Sequence, residues 1–494
     1  MKKLKKIIYL LVTLSILAMS FTVVACPQNN GVVNNKIDIT IVDNTDYIKF
    51  EDDGYYEQAE IERKIKLINL AKTEGEWQTS DIVIKNALKE MITKMILPNT
   101  SSSALTFKLL KQETLPVSSQ ANPNRSSKIP EFTSFDLLTY QITSSSFNGH
   151  AITSTDKRIG NIIAVIESEY EANSDCEFAV DFKERFNEYA QHIADLWNSI
   201  TDDDIANFTN KVAPVRTPPI VIDQDKYIFG DWVLHSGNNS YILKTKWCQS
   251  RTPFNNCVMA VKGNDIKNAG CTTAQVAQIM AFHKVPRELT SPNLARIKRN
   301  WELAIDWDGN YSWDVLTKEE KPSYKSLSDV QIQIGAFYFD IAEGCKANYT
   351  PDGTGISNTN RNKYFLDCGY TFDNMSGYSL KNIKKSINSG YPVPMTGDYK
   401  KGVSGHAFIV DGYCTMSCTA TKKDGSESIQ IMDEFVHCNA GWYGKHDGYY
   451  ISGVFAMDDN HGALKPDNTS RSANVEWDRY FQYNLTQLNM LRPK

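Results

Sequence analysis

Gly270-Cys-Thr-Thr-Ala-Gln-Val-Ala-Gln-Ile-Met-Ala-Phe-His-Lys-Val-Pro286 combines a glycine turn, a cysteine and a helical repeat. Gly270 frees the backbone to turn. Val276, Ile279, Met280 and His283 recur at helical spacing, and Pro286 ends the run. Cys271 is thereby expected at a helix N-terminus, where unpaired N–H groups and the macrodipole favour negative charge. A thiol so placed is suited to act as a thiolate nucleophile. A lone cysteine here also reads as a small buried core residue. The choice between the two rests on residues elsewhere in the chain.

A cysteine nucleophile needs a base and a group to orient it. Gly405-His-Ala-Phe-Ile-Val-Asp-Gly-Tyr413 begins a strand with His406 at its head. Its separation from Cys271 is in the range seen when cysteine and histidine come from opposite lobes. Asn439 ends a later strand before Gly441, and its amide oxygen suits the Nδ1–H of His406, the Cys-His-Asn form of a triad. Gln249, in a polar turn upstream of Cys271, offers a side-chain N–H that with the Cys271 N–H would form an oxyanion hole. Each residue alone has a plainer reading: Gln249 solvated, His406 a structural histidine. His437 is a rival base on the strand face of Asn439. Asp411 is a rival orienting acid, more simply a turn residue before Gly412. His283 reads as packing, far along the helix from Cys271.

The 494 residues suggest several domains of globular composition. With 53 basic and 58 acidic residues the net charge is −5, which gives no support to nucleic-acid binding. Residues 1–25 read as a signal peptide: a lysine-rich start, an apolar run and a small-residue end. Ala25-Cys26 resembles a lipoprotein box, with Cys26 lipidated and the chain held on a bacterial envelope; plain cleavage and secretion is the alternative. Residues 26–45 form a polar tether. Apart from Cys26 and Cys271 there are eight cysteines, which an exported protein can pair. Cys414 and Cys418 are spaced for a local disulfide or half of a metal site.

Along the chain, helices are expected over Tyr55–Lys72, Ile82–Ile96 and Cys176–Ile200, the last with Phe178, Phe182, Phe186, Ala190, Ile193 and Trp197 on one face. Strands are expected at Leu137–Thr143, His150–Thr153 and Asn161–Glu167. Prolines in Val212–Asp223 mark a boundary. Beyond it come a strand at Tyr241–Trp247, helices at Val330–Ile341 and Leu380–Ile387, strands at Tyr391–Asp398, His406–Tyr413 and Ser428–Ala440, and a last strand in Trp477–Leu491. Helices first and strands second read as α+β with two sub-lobes.

The second half resembles the streptopain-like cysteine peptidases, a papain-like group of secreted bacterial proteases. The residues that carry the resemblance are Leu243–Gln249 with Pro253–Asn256, Gly270–Met280 with His283–Pro286, Tyr349–Ser357, Gly405–Tyr413, and His437–Gly444 with Asp447–Tyr450. The resemblance implies Cys271 as nucleophile, His406 as base, Asn439 as orienting amide and Gln249 in the oxyanion hole. It implies a helical lobe facing a β-rich lobe over residues 227–494. Residues 46–215 would then be a propeptide domain, since Phe147–Glu167 looks like the family's propeptide strands, and 216–226 the maturation linker. Substrates would be proteins or peptides, the propeptide an intramolecular inhibitor, and no metal or organic cofactor is needed. Two positions depart from the family pattern: Ala440 stands where tryptophan is usual, and Tyr443 where glycine is usual. Trp442 remains to shield the site. A weakened peptidase fold serving as a binding or inhibitory module is the alternative. A transglutaminase-like acyl transferase is a third reading, disfavoured because that class uses Asp where Asn439 stands.

Overall fold

A computed structural model describes residues 58–73, 77–98, 105–118, 122–172, 174, 176–207, 227–235, 240–300, 307–323, 328–351, 353–400, 404–455 and 485–494. The signal segment, Cys26, the tether and the 216–226 linker lie outside them. The first half contains helices α1 (Gln58–Ala71), α2 (Asp81–Met91) and α3 (Glu177–Ser199) and strands β1 (Thr106–Pro116), β2 (Ser134–Thr143), β3 (Asn148–Ser154) and β4 (Ile162–Ile166). The second half contributes α4 (Asn256–Lys262), α5 (Cys271–His283), α6 (Asp329–Gly344), α7 (Asn358–Asp367) and α8 (Leu380–Asn388). Its main strands are β5 (Asn374–Gly377), β6 (Val393–Lys400), β7 (Ser404–Lys422), β8 (Ser428–Asn439), β9 (Gly448–Ile451) and β10 (Thr486–Asn489).

These strands form one sheet in the order β1-β2-β3-β4-β9-β8-β7-β6-β10-β5, and two short strands near residues 227–234 pair with β7. The two halves are joined at the antiparallel β4–β9 seam, where Ala164, Val165 and Ile166 face Tyr450, Tyr449 and Gly448. A side chain at Gly448 would fall 2.2 Å from the Val165 carbonyl, so the approach requires glycine. Helix α3 lies over this sheet with its predicted apolar face inward. Phe178 meets Phe408 at 5.0 Å between ring centres, and Phe182 meets Tyr450 at 4.7 Å. Each aromatic so buried contributes on the order of 1.5–3 kcal/mol. One core therefore unites the first half with the β lobe. A separate core, built on α5 and α6, fills the helical lobe.

The α+β architecture and most expected elements are present, and four features differ. Helix α5 is buried on every side from Thr272 to Ala281, not along one stripe, because it is wedged between the lobes. Tyr241–Trp247 is not a strand. Its backbone is caught by Asp411 and by the Gln278 side chain in place of a ladder. Asp411 is no turn residue but lies inside β7 beside a bulge, fully buried. Strand β1, polar and exposed on the sheet edge, carries no alternating pattern from which to read it.

Candidate active site

Gly270 adopts φ +99° at the start of α5, and a side chain there would crowd the Thr354 carbonyl at 3.1 Å. No side chain caps the helix, which leaves its first N–H groups directed at the neighbourhood of Cys271. All described cysteines are free thiols; Cys271 and Cys368 are partly exposed and the others buried. Cys414 and Cys418 are therefore not bonded to each other, and among the described residues no group of three or more His, Cys, Asp and Glu is placed to hold a metal.

His406, at the head of β7, is buried from the opposite lobe and brought against the Cys271 sulfur. Burial alone would lower its pKa. The Cys271 sulfur, then Glu177 and the Ala440 carbonyl, outweigh burial and lift it to about 9. The ring donates from Nε2 to the Ala440 oxygen at 2.8 Å, which leaves Nδ1 without a hydrogen-bond partner and 3.6 Å from Oε2 of Glu177. Asp447 holds the preceding peptide, Asn439–Ala440, by accepting the Ala440 N–H at 2.9 Å. Asp447 is itself pushed up to about 7 by burial.

Asn439 does not reach the ring. Its amide is engaged by Gln278 at 3.1 and 3.2 Å, by the Thr245 carbonyl at 2.9 Å and by the Gly441 N–H at 3.1 Å. The orienting acceptor is a backbone carbonyl one residue later, on the other ring nitrogen. No side-chain signal could have marked it.

Gln249 is buried, not solvated. Its carbonyl accepts the Ala269 N–H at 2.7 Å, which ties its turn to the start of α5. Its side-chain Nε2 donates at 2.8 Å to Oε2 of Glu177, the first residue of α3. The same oxygen takes the Trp442 Nε1–H at 3.3 Å and lies 3.6 Å from Nδ1 of His406. A carboxylate from the first half thus sits on the donors of the second. In sequence Glu177 was indistinguishable from an ordinary acid in a first helical turn, where acids are favoured anyway. The Phe178 ring, 6.1 Å from that of His406, adds aromatic cover to the imidazole.

His437 is no rival base. Asp411 holds its Nδ1 at 2.5 Å, Glu167 its Nε2 at 3.2 Å, and Tyr241 stacks on it at 4.2 Å. Burial opposes its charge, but Asp411 and then Glu167 raise its pKa to about 10. Asp411 is accordingly spent on His437, not on His406. His283 is held near pKa 4 by burial, as a packing residue. Tyr443 takes φ +63°, the conformation that a glycine adopts without strain. Its hydroxyl donates to the Pro322 carbonyl at 2.5 Å, and its ring is buried.

Residues 247–450 match the Peptidase C10 family. This segment is a C10 cysteine peptidase domain. The family read from the motifs is borne out over the segment that holds Cys271 and His406. No curated protein matches the chain. Among solved structures, a fragment of Prevotella intermedia prointerpain A is 15% identical, covering 78% of this chain and 100% of its own, with a TM-score of 0.42. The active wild-type interpain A cysteine protease of the same organism is 20% identical, covering 44% of this chain and 87% of its own, with a TM-score of 0.30.

Proposed function

We propose that the chain is an exported cysteine endopeptidase made as a latent precursor, in which residues 46–215 hold the C10 domain inactive. Support for the chemistry comes from Cys271 at an uncapped helix start beside a buried, readily protonated His406. The Cys271 thiolate attacks the peptide carbonyl. Gln249 Nε2 and the Cys271 N–H receive the oxyanion. His406, steadied through Nε2 by Ala440, delivers its Nδ1 proton to the leaving amine and then activates water against the thioester.

The observation that carries the latency reading is the Glu177 carboxylate, bonded to Gln249 where a substrate oxyanion would lie. It is anionic like the intermediate and cannot be cleaved. Separation of the halves, by a cut in 216–226, would free the donors. Export rests on the character of residues 1–25, and envelope anchoring on lipidation of Cys26.

The test uses residues 27–494 with and without Cys271→Ala, under reducing conditions. Cysteine-dependent self-cleavage between the halves and labelling by a thiol-directed peptide probe are expected only with Cys271 present. Identical behaviour of the two proteins would overturn the proposal.

A further inference from the structure

Helix α5 carries two glutamines, Gln275 and Gln278, with essentially no exposure. A buried amide is costly unless its groups are paired. Gln278 is paired with Asn439 and the Trp247 N–H. Gln275 spans the lobes. Its Nε2 donates to the Phe408 carbonyl at 2.6 Å and to the Met395 carbonyl at 2.7 Å. These two residues are register partners on β7 and β6. Its Oε1 accepts from Nη1 of Arg361 at 3.2 Å.

Positions one turn apart on a helix share a face, so Gln275 lies directly behind Cys271. Positions two apart on a strand also share a face, so Phe408 follows His406 on the same side of β7. The nucleophile and the base are therefore joined by a short path: one helical turn, one bifurcated amide, two strand residues. Arg361, on α7, is fully buried, and among the described residues no carboxylate pairs with it. Its Nε goes to its neighbour Asn362, and its Nη2 has no partner. A buried guanidinium so poorly compensated does not serve stability well. It does fix which way the Gln275 amide points, because only Oε1 can face it, and both N–H bonds must then face the strands.

We propose that Gln275, oriented by Arg361, is a positioning residue that sets the distance between the Cys271 sulfur and the His406 ring. This rests on the peptidase reading. The ion pair of thiolate and imidazolium depends steeply on that distance, whereas the fold around α5 also rests on the apolar packing of Ala274, Val276, Ala277, Ile279, Met280 and Ala281.

The experiment compares full-length wild type with Gln275→Met, Gln275→Glu and Arg361→Met. Gln275→Met keeps the volume and removes the three hydrogen bonds. Gln275→Glu keeps an acceptor for Arg361 and loses both donors. Two readouts are taken: the pH profile of Cys271 alkylation by iodoacetamide, and kcat and KM of the matured enzyme per titrated active site. Gln275→Met and Gln275→Glu should each lower kcat about 30-fold with KM within twofold. Both should also lose the alkylation that wild type shows at low pH, where the ion pair with His406 supplies thiolate. Arg361→Met should lower kcat about fivefold, and the double variant Gln275→Met/Arg361→Met should be no worse than Gln275→Met alone. A wild-type alkylation profile in Gln275→Met, or kcat per titrated site unchanged in it, overturns the proposal. If Gln275→Met does not fold, a wild-type profile in Arg361→Met overturns it equally. Absence of hydrolysis in wild type would sink the peptidase reading instead and leave the alkylation profiles to decide the positioning.

Discussion

Removing the Glu177 carboxylate should unmask the nucleophile. Its Oε2 accepts a 2.8 Å bond from Gln249 and a longer one, 3.3 Å, from Trp442, and lies 3.6 Å from His406 Nδ1. A hydrogen bond to a charged group is worth about 1.5–3 kcal/mol net. The Glu177 side chain is 38% exposed, so solvent screens part of that. Counting the short bond nearly in full and the others as small leaves about 2 kcal/mol, or roughly a 30-fold shift toward the open site. In full-length protein, the labelling of Cys271 by a thiol-directed peptide probe should therefore be about 30-fold faster in Glu177→Ala. Glu177→Gln keeps an acceptor without the charge and should give about fivefold. Glu171→Ala removes a half-exposed partner of Lys445 at the rim and should stay within twofold. Labelling of Glu177→Ala at the wild-type rate would refute the latch, and a Glu171→Ala effect as large as that of Glu177→Ala would show general loosening instead.

The remaining predictions concern the join between the halves. His437 has its pKa raised to about 10, so its contribution to stability is fully present below about pH 6.5, the unfolded value, and is lost as pH rises through 10. The melting temperature should fall across that window in wild type and much less steeply in His437→Phe; parallel curves for the two would contradict the assignment. Gly448→Ala would place its methyl against the Val165 carbonyl and should open the β4–β9 seam at a cost of about 3 kcal/mol or more, comparable to other overpacked sites. Limited proteolysis should then cut the first half away well before the C10 domain, and wild-type resistance would count against a tight seam.

Much of the site could be read from residue types and order. A glycine before a cysteine before a helical run predicts a nucleophile at a helix end, and Gly270 at φ +99° provides that turn. The amphipathic face of α3 was equally plain, since its six periodic apolar residues are all buried. Strand Tyr241–Trp247 was misread because its apolar alternation reflects burial between two lobes, not membership of a sheet. The partners of Asn439 were not legible for a related reason. An amide at a strand end has many possible partners, and here Gln278, from a distant helix, the Thr245 carbonyl and the Gly441 N–H take it.

The sequence by itself determined which chemistry is available: a thiol at a helix start, an imidazole at a strand head, a glutamine in a turn before them. Those are local properties of backbone conformation and side-chain type. Tertiary structure alone decided that Ala440 rather than Asn439 holds His406, that Gln275 ties the two lobes together, and that Glu177 lies on Gln249. Each of these is a hydrogen bond between residues far apart in the chain. Such a bond forms or fails over a few tenths of an ångström, set by how whole lobes pack, and no local pattern records that distance.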